Sequence, residues 1–116
     1  MYSKTIMALI AISVMASSGS ALAQSASCHI TEKGKVTFNG KCNKTESDTG
    51  SFNLANINQN KPLTKNMHSV SVILLESNQA MVRAYVTAND NNGTSLNIFK
   101  RKGNCYIRGG TKICTK

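Results

Sequence analysis

Tryptophan is absent from this chain, proline occurs once, at Pro62, and histidine only twice. Carboxylates are scarce as well, five Asp and Glu against fourteen Lys and Arg. General acid–base catalysis needs titratable groups whose environments separate their pKa values, and no two carboxylates here stand out as such a pair. A G-x-S-x-G nucleophile motif is also missing, and the serines are scattered. The chain is therefore read as a non-enzyme that uses no cofactor. Its cysteines, Cys28, Cys42, Cys105 and Cys114, include no C-x-x-C pair, which argues against zinc. Asp90 among asparagines suggests a calcium loop, but the glutamate that closes such a loop is missing. No metal site is expected.

Long apolar runs are lacking too. The longest, Thr5–Ala16, falls well short of the ~20 residues that span a bilayer. With Lys4 before it and Ala21-Leu22-Ala23 after it, it has the pattern of a secretory signal cut after Ala23. Residues 1–23 are read as a cleaved signal peptide and residues 24–116 as one disulfide-braced β domain. A periplasmic or secreted location follows, with no transmembrane segment in the mature chain. A lipoprotein reading would acylate Cys28. Ser25 stands where a bulky apolar residue is wanted, and Cys28 is needed as a disulfide partner.

An even number of cysteines in an exported chain this short is the usual supplement to a modest core. Local pairing, Cys28 with Cys42 and Cys105 with Cys114, is favoured because each pair brackets a turn signal. Around a turn at Gly109-Gly110, Arg108 faces Thr111, Ile107 faces Lys112, Tyr106 faces Ile113, and Cys105 faces Cys114. Counted outward, the last of these falls in the non-hydrogen-bonded class, where side chains approach most closely. The Cys28 and Cys42 positions do not match directly around a Lys33-Gly34 turn, so a bulge or a longer loop is expected there.

The remaining chain alternates in short runs. Ile30, Val36 and Phe38 are strand formers on either side of Glu32–Lys35. Gly50–Leu54 resumes the alternation after the polar stretch 43–49. Val70, Val72 and Leu74 alternate with Ser69, Ser71 and Ile73. After Ser77-Asn78, Ala80, Val82, Ala84 and Val86 alternate with Met81, Arg83 and Tyr85. A helix over 79–86 is disfavoured by the β-branched Val82 and Val86. Asn92-Gly93 is a hairpin signal, followed by 94–99 with Leu96 and Ile98 on one face. Residues 56–68 lack periodicity and read as an exposed loop with a short strand near its start. The sum is an all-β domain of seven to eight short strands, an antiparallel meander that closes as a small barrel or folds as a sandwich.

Three isolated features carry bland readings. His29 beside Cys28 has no thiolate to activate if Cys28 is oxidised. His68 reads as a solvated loop histidine. Asn43-Lys44-Thr45 and Asn92-Gly93-Thr94 match the glycosylation sequon, a motif short enough to arise by chance.

Charge is the strongest functional signal. The formal net charge is +9, lower by one without Lys4. Six basic residues and no acidic ones fall in residues 100–116. Lys100, Arg101, Lys102, Arg108 and Lys112 are the candidate anion-binding residues. The expected role is an exported monomer whose basic surface contacts an anionic polymer such as lipopolysaccharide, glycosaminoglycan or nucleic acid. Alternation places Arg108 and Lys112 on opposite faces of the terminal hairpin, so the charge is expected to wrap an edge, where lysines also guard against sheet aggregation. The alternative is a protein-binding module, an inhibitor of a hydrolase or an accessory of an exported complex, that presents the 56–68 loop. A basic lysozyme is a poor target for such an inhibitor, since like charges repel.

Overall fold

The computed structural model describes residues 22–116. Eight strands follow one another: β1 (Leu22–Glu32), β2 (Lys35–Glu46), β3 (Phe52–Ala55), β4 (Ser69–Leu74), β5 (Gln79–Tyr85), β6 (Thr94–Lys102), β7 (Cys105–Arg108) and β8 (Thr111–Thr115). Each pairs antiparallel with the next, and β8 returns to β1, so the meander is a closed barrel rather than a sandwich. Most of the expected signal peptide lies outside the described residues. Leu22 and Ala23 form the first rungs of β1, opposite Glu46 and Thr45.

The alternation of the sequence is that of inside and outside. Ile30, Leu54, Val70, Val72, Ala80, Val82, Phe99 and Ile113 point inward and are buried, each large member contributing about 1.5–3 kcal/mol. Outward positions are largely Ser, Asn, Lys and Arg, with Ile73, Met81, Tyr85, Ile98 and Ile107 interspersed. This is the reverse of a barrel that crosses lipid, which presents an apolar band outside and a polar lumen.

The tight turns follow their residues. Lys33 and Gly34 both take positive φ, as do Ser77 and Asn78, while Gly109 does so alone in the last hairpin, patterns that match the right-handed twist of paired strands. Gly110 has a different reason to be glycine. Its carbonyl accepts from the Gly34 amide at 3.0 Å, and a Cβ there would meet Gly34 N and Lys33 Cα at 3.2 Å.

Both expected disulfides are formed. Cys105 and Cys114 are direct partners, with Cα atoms 4.0 Å apart. Cys28 and Cys42 are joined diagonally across β1–β2, 5.9 Å apart. The expected bulge is present between Ile30 and Thr31, and it leaves Cys28 opposite Gly40 and Cys42 opposite Ala26.

Three expectations need correction. Residues 56–68 do form a loop, but Leu63, Thr64 and Met67 are buried in it. They plug the end of the barrel, and the only pairing within the loop is a single bridge from Thr64 to Met67, with no strand near its start. Leu96 and Ile98 do not share a face. A bulge at Asn97, which takes φ 81°, lets Leu96 pack on the core while Ile98 pairs with Met81 outside and Phe99 becomes the buried residue. Asn92-Gly93 is not a two-residue hairpin turn either. β5 ends at Tyr85, leaving Val86 exposed, and the loop to β6 is organised by Asp90, which accepts from the amides of Val86, Asn92 and Gly93.

Candidate functional site: a cationic outer face

Strand register decides which of the basic residues share a surface. Lys100 on β6 and Lys112 on β8 are both partners of Ile107 on β7, so they flank it on the outside, about 10 Å apart at the usual strand spacing. Lys102 lies two residues along β6, about 7 Å from Lys100, opposite Cys105. The next row runs Lys102, Cys105, Cys114, His29 and Asn39. Beyond β1, Lys41 stands opposite Ser27, and Ser27 exchanges backbone hydrogen bonds with Lys116. Lys100, Lys102 and Lys112 therefore face outward from one wall made of β6, β7 and β8, with the Cys105–Cys114 bridge within it, whereas Lys41 on β2 is four strands from β6 in a closed barrel of eight and faces the opposite side. All four are exposed.

Carboxylates are kept off this wall. Glu32, at the end of β1, accepts from the Asn66 amide at 3.3 Å; Glu46 has the inward parity of Cys42 and Lys44 on β2. Asp48, Glu76 and Asp90 lie in the connections between strands. Among the described residues no carboxylate occupies an outward strand position of the wall, so its lysines repel one another without compensation and attract any dense anion.

The five residues expected to bind anions are thus divided. Lys100, Lys102 and Lys112 lie together on the wall. Arg101 has the opposite parity, pairs with Tyr106, and turns toward the open end of the barrel, its Nε donating to the Gly103 carbonyl at 3.1 Å. Arg108 sits near the other end and donates to the Ile98 carbonyl at 3.3 Å. The expectation that the charge wraps a sheet edge fails for a structural reason, since β7 and β8 lie between β6 and β1 and a closed barrel has no edge. The position of His29 beside the terminal hairpin has no local signal, because only the β1–β8 closure brings it opposite Cys114.

Other candidates resolve without chemistry. His29 points out while Cys28 points in; its strand partner across the seam is Cys114. The His68 amide is bonded to the Tyr85 carbonyl at 2.6 Å, and the residue is half-buried. The Arg83 guanidinium donates to the Asn92 carbonyl at 2.9 Å, holding the 86–93 loop over the outer side of β5. Among the described residues no three His, Cys, Asp or Glu lie close enough to hold a metal ion. Comparison of the chain with protein-family models, with curated proteins and with solved structures found no match to any.

Proposed function

We propose that this protein is an exported, non-catalytic binding protein whose cationic wall contacts anionic envelope or extracellular polymers. The observation that carries the reading is the placement of Lys100, Lys102 and Lys112 on one outer wall from which carboxylates are excluded. The rival account of these lysines, edge protection, loses its premise in a barrel without edges. Rigidity favours the reading too. The wall is strand rather than loop, and a disulfide crosses its middle, so ordering it on contact costs little entropy.

The test is the salt dependence of binding to a single-stranded oligonucleotide used as a model polyanion. Three lysines in contact give a log–log slope of about −2, so affinity drops about 20-fold between about 50 and 200 mM salt. Replacing Lys100, Lys102 and Lys112 together by alanine leaves none of them and brings the slope toward zero. A slope that the triple replacement leaves unchanged sinks the proposal. Stoichiometric capture of a protein partner that survives high salt and is lost on mutation of residues 57–61 would establish the protein-binding alternative instead.

A further inference from the structure

The open end of the barrel, away from the Leu63–Met67 plug, holds a cavity of about 210 Å³. Its lining includes Lys44, Glu46, Phe52, Arg101, Tyr106 and Thr115. Its floor is an aromatic pair, Phe52 and Tyr106, with ring centroids 6.0 Å apart and planes tilted by 57°. The Lys44 Nζ stands 4.6 Å from the Phe52 centroid, a cation–π contact that fixes the ammonium over apolar surface. Arg101 adds a second cation.

A separate observation points to the same place. Thr115 is only 8 % exposed, and its Oγ1 is the one buried side-chain polar atom among the described residues that has no hydrogen-bond partner. Its backbone is satisfied, the amide donating to the Asn104 carbonyl at 3.1 Å. Buried polar groups are nearly always paired, and an orphan asks for an explanation. A valine would fill the same volume without leaving a hydroxyl unpaired. The hydroxyl has a use if something in the cavity accepts from it.

From these features we infer that the barrel mouth is a binding site for one ring-sized organic anion carrying hydroxyl groups, of the class of acidic monosaccharides. Size sets the first limit. At about 30 Å³ per water the cavity holds about seven waters, less than the 300–1,000 Å³ of sites for larger ligands. That is room for a single ring. Charge sets the second, because two cations against one carboxylate select a monoanion. Lys44 and Arg101 take the acid group, the Thr115 hydroxyl donates to it or to a ring oxygen, and Glu46 accepts from a ligand hydroxyl. Phe52 and Tyr106 supply the apolar face on which a sugar ring lies. The site is independent of the outer wall, being built from inward positions.

The experiment is an amide NMR titration of the oxidised protein with D-glucuronate, D-glucose and inorganic phosphate in parallel. Saturable shifts at Phe52, Asn104 and Thr115 are expected with glucuronate, with glucose and phosphate binding at least tenfold more weakly. Lys44→Gln and Arg101→Gln each weaken glucuronate at least tenfold. Lys61→Gln, which removes the same charge from the plugged end, changes affinity less than twofold. Thr115→Val separates a ligand group from a merely structural one, since it raises the melting temperature while weakening glucuronate at least fivefold. Equal binding of phosphate and glucuronate, undiminished binding by Thr115→Val, or no saturable shift with glucuronate overturns the inference. None of these results bears on the wall, whose lysines the titration leaves in place.

Discussion

Removing each disulfide in turn measures how much of this domain is held by chain restriction and how much by interior packing. The Cys28–Cys42 bridge has a sequence separation of 14 and the Cys105–Cys114 bridge one of 9. Loop-closure entropy assigns them about 3.0 and 2.7 kcal/mol respectively, a difference too small to resolve. Burial separates them. Cys28 and Cys42 are 2 % and 0 % exposed and belong to the interior cluster together with Ala26. Cys105 and Cys114 lie on the outer wall, half-buried. Replacing both cysteines by alanine therefore adds a cavity and lost packing of about 1–2 kcal/mol to the inner bridge and almost nothing to the outer one. The expected losses are about 4–5 kcal/mol for Cys28→Ala with Cys42→Ala and about 3 kcal/mol for Cys105→Ala with Cys114→Ala. Guanidinium unfolding at equilibrium, followed by far-ultraviolet circular dichroism, gives both numbers. If the outer pair costs as much as the inner pair, interior packing is not what distinguishes them and the reasoning fails.

Two further perturbations test the 86–93 loop. The Gly93 amide, then that of Val86, pull the Asp90 carboxyl below the ordinary carboxylate range; desolvation pushes back, and the Asn92 amide adds a smaller pull. A lowered folded pKa stabilises above the unfolded value of about 3.9 and ceases to do so as pH falls through the folded one. Asp90→Asn should accordingly lower the melting temperature at pH 7, and the gap from the parent should close below about pH 4; a gap constant from pH 7 to pH 3 would refute the assignment. Gly93→Ala places a Cβ 2.7 Å from Arg83 Cγ and 2.8 Å from Tyr85 Cε2 at φ +69°. It should cost about 1–3 kcal/mol, read by chemical denaturation, and a neutral substitution would show that Arg83 and Tyr85 yield freely.

Local pairings were legible in the sequence because their determinants are adjacent. The Ser69–Tyr85 hairpin shows in its two-residue period, and Cys105 opposite Cys114 shows in a glycine turn counted outward. What escaped has a common cause. Leu63 and Met67 are isolated apolar residues in a polar stretch, and nothing local says that a barrel end awaits them. The shift at Asn97 moves Leu96 and Ile98 to different sides through one backbone angle that an asparagine tolerates. The wall of lysines depends on register across β6, β7 and β8, where Lys100 and Lys112 are both set opposite Ile107. Arg101 and Lys102 are neighbours in sequence, yet they serve the mouth and the wall respectively, because alternation sends them to opposite sides of one strand.

Closure of the barrel ties these features together. The β1–β8 seam pairs Cys28 with Thr115 and Thr31 with Lys112 and is continued by the backbone bonds between Ser27 and Lys116; its strands are the first and last of the meander, so these are the last contacts a meander can make. Loop-closure cost grows only logarithmically with length, so the seam's difficulty is less the span than the need for two hairpins to arrive with fixed register. Each arriving hairpin is already cross-linked, β1–β2 by Cys28–Cys42 and β7–β8 by Cys105–Cys114. Neither bridge crosses the seam, yet both hold the strands that form it in the one register that buries Ile30 against Ile113. A slip of one residue would turn Ile113 outward and Lys112 inward. The wall does not depend on the seam, since the β6–β7 and β7–β8 pairings set Lys100 and Lys112 on either side of Ile107; the mouth does, because the seam sets Thr115 opposite Cys28 and closes the ring of strands around the cavity, so that site depends on the covalent bracing of a seam that neither disulfide spans.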